Sequence, residues 1–129
     1  MDTNVLASAF ATRGLCSDVF RIVLAEHQLV TSLLVLEELE RTLRQKFKVR
    51  ERLIRQTLDF LEQDAVLAAA AQGFPVDVSD ESDAQILSSA LAADAEIFIT
   101  GDKELLALQK LQRLRILSPR QFWERTKQS

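Results

Sequence analysis

The sequence predicts an α/β fold with a mostly parallel sheet, on three observations. Short apolar runs of strand character alternate with longer amphipathic stretches along the chain, the order that parallel sheets require. Leu and Ala dominate, whereas Gly and Pro number only 3 and 2, which argues against a turn-rich β-sandwich and against a Gly-rich phosphate loop. The chain has 129 residues, 47% of them hydrophobic, enough for a buried core and for one domain spanning 1–129.

The elements follow in order. A short helix is expected over 5–10, after Asp2-Thr3-Asn4. A second helix over 15–26 carries Leu15, Val19, Ile22 and Val23 at helical spacing. Residues 28–31 read as a short strand. Ser32 then caps a helix running to about residue 46, with Leu36, Leu39, Leu43 and Phe47 on one face. Residues 49–64 form the next helix, with Leu53, Ile54, Leu58 and Leu61 inward. The apolar stretch 65–71 reads as a buried strand, and 73–79 as a loop around Pro75. A helix over 82–92 leads to a clear strand over 96–100. Gly101-Asp102 turns the chain into a short helix over 103–108. A last strand over 114–117 precedes a helix opened by Pro119 and carrying Phe122 and Trp123.

Several function classes fall away. The single cysteine, Cys16, cannot form an internal disulfide, and with His27 as the one histidine it reads as an inert thiol rather than a nucleophile. The N-terminus has neither a basic nor an apolar leader region, and no window approaches the roughly 18 apolar residues of a membrane span. A cytoplasmic protein is expected. Net charge is −3, so bulk charge does not announce a nucleic-acid partner. Its distribution is more informative. From 41 to 55 there are seven basic residues, among them Arg41, Arg44, Lys46, Lys48 and Arg50, against Glu51 alone. From 74 to 104 eight acids face Lys103 alone. A basic wall beside an acidic centre suits an enzyme that holds a polyanion and binds cations, although two solvated faces of opposite sign give the same count.

Four acidic positions carry candidate chemistry. Asp83 lies three residues before Ile86 and four before Leu87, on the apolar face of its helix, where an unpaired charge is costly. First-turn capping by Asp80, Ser82 and Asp83 is the structural alternative. Asp102 directly follows a strand, together with Thr100, at the strand end where ligands collect in open α/β sheets; it too could be only a helix cap. Asp2 stands at what would be the end of a first strand. Glu37 and Glu38 flank the Leu36/Leu39/Leu43 stripe, and periodicity does not choose between them. If the strand ends converge, carboxylates without a His or Cys cluster make a hard-oxygen site suited to Mg²⁺ or Mn²⁺. Such a site activates water and stabilises charge developing on a phosphodiester.

The ordered set Asp2-Thr3-Asn4-Val5-Leu6, Ser32 with Leu36-Glu37-Glu38-Leu39, Asp80-x-x-Asp83 and Ile99-Thr100-Gly101-Asp102-Lys103-Glu104-Leu105 resembles the PIN-domain family. Arg44-Gln45-Lys46-Phe47 and Ile116-Leu117-Ser118-Pro119-Arg120-Gln121-Phe122 extend the resemblance to the VapC-type toxins of toxin–antitoxin pairs. The resemblance implies a three-layer α/β/α sandwich with acids gathered at one end of the sheet. By position it makes Asp2, Glu38, Asp83 and Asp102 the metal-binding, catalytic acids. Asp80 would assist them, and Asn4, Ser32 and Thr100 would orient them. It further implies endonucleolytic RNA cleavage with Mg²⁺ or Mn²⁺, the basic stretch from Arg41 to Arg50 on the RNA backbone, a cognate antitoxin as partner, and frequent homodimers. The chain departs from the family in one respect. Several apolar residues usually precede the first aspartate and form a central strand, whereas here Met1 alone precedes Asp2. Either the sequence starts late or the first strand is truncated, and a truncated strand is expected to leave neighbours with unpaired backbone groups. This keeps a second reading open, a catalytically disabled scaffold that binds RNA or an antitoxin. A phosphoacceptor receiver domain would need an aspartate ending a middle strand and a lysine after the last one. The basic helix and Ser118-Pro119 occupy those places.

Overall fold

The computed structural model describes residues 1–69 and 76–127. Asp2 starts α1 (Thr3–Ala11) by accepting the Val5 N–H on its Oδ1 at 2.9 Å. The buried face of α1, with Thr3, Leu6 and Ala7, packs on α2 (Leu15–Glu26) and α3 (Leu33–Gln45). Gly14 precedes α2 at φ 150°, a conformation that glycine alone adopts readily. β1 (Val30–Ser32) ends on Ser32, whose Oγ accepts the Val35 N–H at 3.3 Å and caps α3. Leu36, Leu39 and Leu43 form the buried stripe that their spacing predicts.

α4 (Glu51–Asp64) buries Ile54 and Leu61 and half-buries Leu58, but Leu53 is 51% exposed. The expectation that Leu53 faces inward is corrected: at about 100° per residue it falls off the Ile54/Leu58/Leu61 stripe. β2 (Val66–Ala68) lies within the expected stretch yet is not buried, with Val66 and Leu67 40% and 42% exposed. Among the described residues it pairs with β1 alone, as an edge strand whose apolar residues are incompletely covered. Residues 70 and 71 of the expected strand, and 73–75 of the expected loop, lie outside the described residues.

α5 (Glu81–Ala92) starts at its cap Asp80, β3 (Ile97–Ile99) follows, and Asp102 caps α6 (Lys103–Leu108). β4 (Lys110–Leu111) and β5 (Leu114–Leu117) form a short hairpin, and α7 (Pro119–Lys127) closes the described chain. β4 was not expected, because two residues carry no periodicity.

The fold is α/β with parallel pairing, but its strands form two small sheets rather than the single one expected. β1 runs parallel to β2, and β3 runs parallel to β5, which also pairs antiparallel with β4. No strand links the two sheets among the described residues. Met1 and Asp2 supply a single backbone bond to β3, from Asp2 N–H to the Ile99 carbonyl at 2.9 Å. Helices α5 and α3 pack across β1, and α6 and α7 pack on β5. Among the described residues, no helix is long and apolar enough to cross a membrane.

Candidate active site

The carboxyl end of β3 builds the first half of the site. Thr100 follows the strand, and its side chain has no exposed surface. A buried hydroxyl needs partners. Its Oγ1 donates to Asp2 Oδ2 and accepts the Asp102 N–H at 3.0 Å. One hydroxyl thus ties the first aspartate to the backbone of the last. Asp2 is buried, and its second oxygen serves α1 as a cap. Asp102 is exposed; its Oδ1 accepts from Glu104 N–H at 2.8 Å and more weakly from Leu105 N–H at 3.4 Å. The capping roles weighed from sequence are therefore real at Asp80 and Asp102, and Asp2, for which none was expected, caps α1. Capping occupies Oδ1 in each case, and Asp102 Oδ2 accepts no hydrogen bond among the described residues.

Helices α3 and α5 bring the other half. Glu38 is half-buried, and its Oε1 accepts from Thr3 Oγ1 at 2.8 Å, whereas Glu37 is exposed. Thr3 was missed from sequence. The signal was available, since Thr3 lies three residues before Leu6 and four before Ala7, the spacing used to turn Asp83 inward. Asn4, expected to orient the acids, is exposed, and no hydrogen bond joins it to them among the described residues. The helix turns Thr3 inward and Asn4 outward. Ser32 is engaged as the cap of α3, and no hydrogen bond joins it to a carboxylate among the described residues. Asp80 is exposed and caps α5 by accepting the Asp83 N–H at 3.0 Å. Ser79, just before it, donates its N–H and its hydroxyl to Glu104, which holds this corner against α6.

Asp83 is where the charges meet. It is half-buried, and no hydrogen bond to its carboxylate forms among the described residues. Burial first, then the negative charges of Asp80, Asp102, Asp2 and Glu38, push its carboxyl up to about 6. All four other acids of the expected set therefore act on one carboxyl. Among the described residues, no three acidic, His or Cys side chains converge into a ready-made cation cage. The donors are all oxygen, which fits a hard divalent cation and not a zinc-type thiolate or imidazole site. Burial and the nearby Asp2 charge push the Cys16 thiol up, away from nucleophilic use.

The basic stretch divides. Arg41, Lys46, Lys48 and Arg50 are exposed, but Arg44 is committed. Its guanidinium bridges Glu40 at 3.1 Å and Glu51 through two contacts, joining α3 to α4, and these carboxylates raise its pKa further. Arg44 is thereby corrected from a free phosphate contact to a helix–helix tie. Arg41 stands three residues after Glu38 on α3, one turn along from the acids.

A cavity of about 290 Å³ lies close by but is not this site: Met1, residues 28–32 and residues 95–99 line it, and none of the five acids does. A family model described as PIN domain matches residues 1–104. No curated protein matches the chain.

Proposed function

Since the chain belongs to the PIN-domain family, whose members are in general nucleases, we propose that it is a metal-dependent endoribonuclease acting at Asp2, Glu38, Asp83 and Asp102. The observation that carries this reading is Asp83, a half-buried carboxyl without a donor among the described residues and under the charge of four other acids. Such a cluster is costly alone and is relieved by a cation. Asp2, Glu38, Asp83 and Asp102 would hold Mg²⁺ or Mn²⁺, with Asp80 at the edge. When bound, that cation supplies acidity to an attacking water and positive charge to the phosphodiester in its transition state.

The chain's own residues do the rest. Thr100 fixes Asp2 relative to Asp102, and Thr3 fixes Glu38 on α3. Arg41, exposed one turn from Glu38, holds a phosphate of the RNA backbone, with Lys46, Lys48 and Arg50 extending the track. The same reading takes 1–129 as one three-layer PIN domain in the cytoplasm. The motif resemblance supports a toxin role with an antitoxin partner and a homodimeric state.

The test is cleavage of a labelled mixed-sequence RNA with Mg²⁺, Mn²⁺ or EDTA. Cutting is expected with metal, none with EDTA, and a loss of at least about a hundredfold in Asp83→Asn. The second reading is a scaffold that binds RNA without turnover, and the division of the strands into two sheets among the described residues is what favours it. RNA binding by folded protein with no cutting under either metal would establish that alternative.

A further inference from the structure

We propose that Ser79 and Glu104 form a latch that positions Asp83 relative to Asp102, and that Glu104 serves the acidic site through this tie rather than by holding the cation. The inference rests on the reading of Asp2, Glu38, Asp83 and Asp102 as one site, and adds two positioning residues to it.

The two halves of that site belong to different parts of the fold. Asp83 stands in the first turn of α5, which packs on β1, β2 and α3. Asp102 caps α6, which follows β3 and packs on β5 of the other sheet. No strand pairing joins the two sheets among the described residues. The spacing of the two helix starts therefore depends on what ties one to the other.

The latch makes that tie. Ser79 donates its N–H to Glu104 Oε1 at 3.0 Å, and shares its hydroxyl proton between Oε1 and Oε2, each at 2.9 Å. Both ends run straight into the site. On the α6 side, the Glu104 N–H donates to Asp102 Oδ1 at 2.8 Å. On the α5 side, Ser79 is followed directly by Asp80, whose Oδ1 accepts the Asp83 N–H at 3.0 Å. A continuous path thus leads from Asp102 through Glu104, Ser79 and Asp80 to Asp83. Its one non-local step, across 25 positions of sequence, is made by a carboxylate, which strengthens it.

Glu104 is spent on this step. The charges that act on Asp83 are those of Asp80, Asp102, Asp2 and Glu38, whereas Glu104 gives both its oxygens to Ser79. Both latch residues are exposed, so their bonds compete with water and contribute little to global stability. What they supply is geometry, to which a reacting site is far more sensitive than a fold is.

The test uses the full chain with Ser79→Ala, Glu104→Ala, the two combined, Ser79→Thr and Glu104→Gln. Each is read by Mn²⁺ affinity from electron paramagnetic resonance, by kcat and KM for RNA cleavage, and by Tm. Ser79→Ala and Glu104→Ala are each expected to weaken Mn²⁺ binding and lower kcat by about tenfold, with KM unchanged. Tm should stay within about 2 °C. The combined variant should be no worse than either alone, because both cut the same tie. Ser79→Thr keeps the hydroxyl and Glu104→Gln keeps an accepting oxygen, so both should stay within about threefold of the parent. Glu104→Gln as damaging as Glu104→Ala, with Ser79→Ala unchanged, would make Glu104 a cation-holding acid and overturn the proposal. Additive losses in the combined variant would overturn it too. A parent protein that neither binds Mn²⁺ nor cuts RNA would defeat the nuclease reading. The latch would then be decided by the Asp83 carboxyl midpoint in metal-free buffer, read by carbon-13 NMR. A midpoint that falls in Ser79→Ala, as Asp102 moves away, supports the latch, and an unchanged midpoint overturns it.

Discussion

At the end of β3, the acids are held by donors; at the first turn of α5, Asp83 is held by none among the described residues. Asp2 receives the Val5 N–H and the Thr100 hydroxyl, and Asp102 receives the first N–H groups of α6. Asp83 receives no donor among the described residues, and burial and four neighbouring acids leave it near 6. The contrast separates two duties that composition cannot tell apart. Carboxylates that cap helices stabilise the fold with one oxygen, whereas a carboxylate left under uncompensated negative charge marks where a cation belongs.

The sharpest way to break the comparison is to neutralise each kind of acid. Asp83→Asn is expected to lower RNA cleavage by at least about a hundredfold while the protein stays folded and becomes more stable at pH 7. A quantitative gel assay and a thermal melt read both. A loss of stability would place Asp83 with the capping acids. Thr100→Val should do the reverse in stability. It leaves Asp2 Oδ2 and the Asp102 N–H without their shared partner, costing about 1–3 kcal/mol by denaturant titration.

The pH dependence sharpens the same point. The Asp83 carboxyl in the folded protein lies near 6, above its ordinary 3.8, so the folded state binds the proton more tightly than the unfolded chain. In metal-free buffer, its contribution therefore destabilises the fold as pH rises from about 4 to about 6. Asp83→Asn should flatten that segment of the stability profile, and an unchanged slope would remove the carboxyl from the account. The smallest effects concern the basic stretch. Arg41→Ala should weaken RNA binding a few-fold and reduce the salt slope by about one. Arg44→Ala should leave both unchanged, because its charge is spent on Glu40 and Glu51.

Much of this was legible in the residues. The boundaries of α2, α6 and β5 follow from apolar spacing and from the caps and prolines that punctuate it. Asp83's inward direction followed from its offset to Ile86 and Leu87. Neither the division into two sheets nor the exposure of β2 was expected, because an apolar run looks the same in an edge strand and a central one. Asn4 was expected to orient the acids from motif position, whereas helical phase turns Thr3 inward to Glu38 instead. Arg44 was misjudged because its partner Glu51 lies on another helix, at a separation that no local pattern encodes.

The central claim is that these carboxylates form one cation site, and the Asp83 carboxyl reports on it most directly. Carbon-13 NMR titration of that carboxyl, without and with Mg²⁺, is the measurement. The account predicts a midpoint near 6 in metal-free buffer that falls towards the ordinary carboxylate range when Mg²⁺ is added. A midpoint near 6 that Mg²⁺ and Mn²⁺ both leave in place would contradict it.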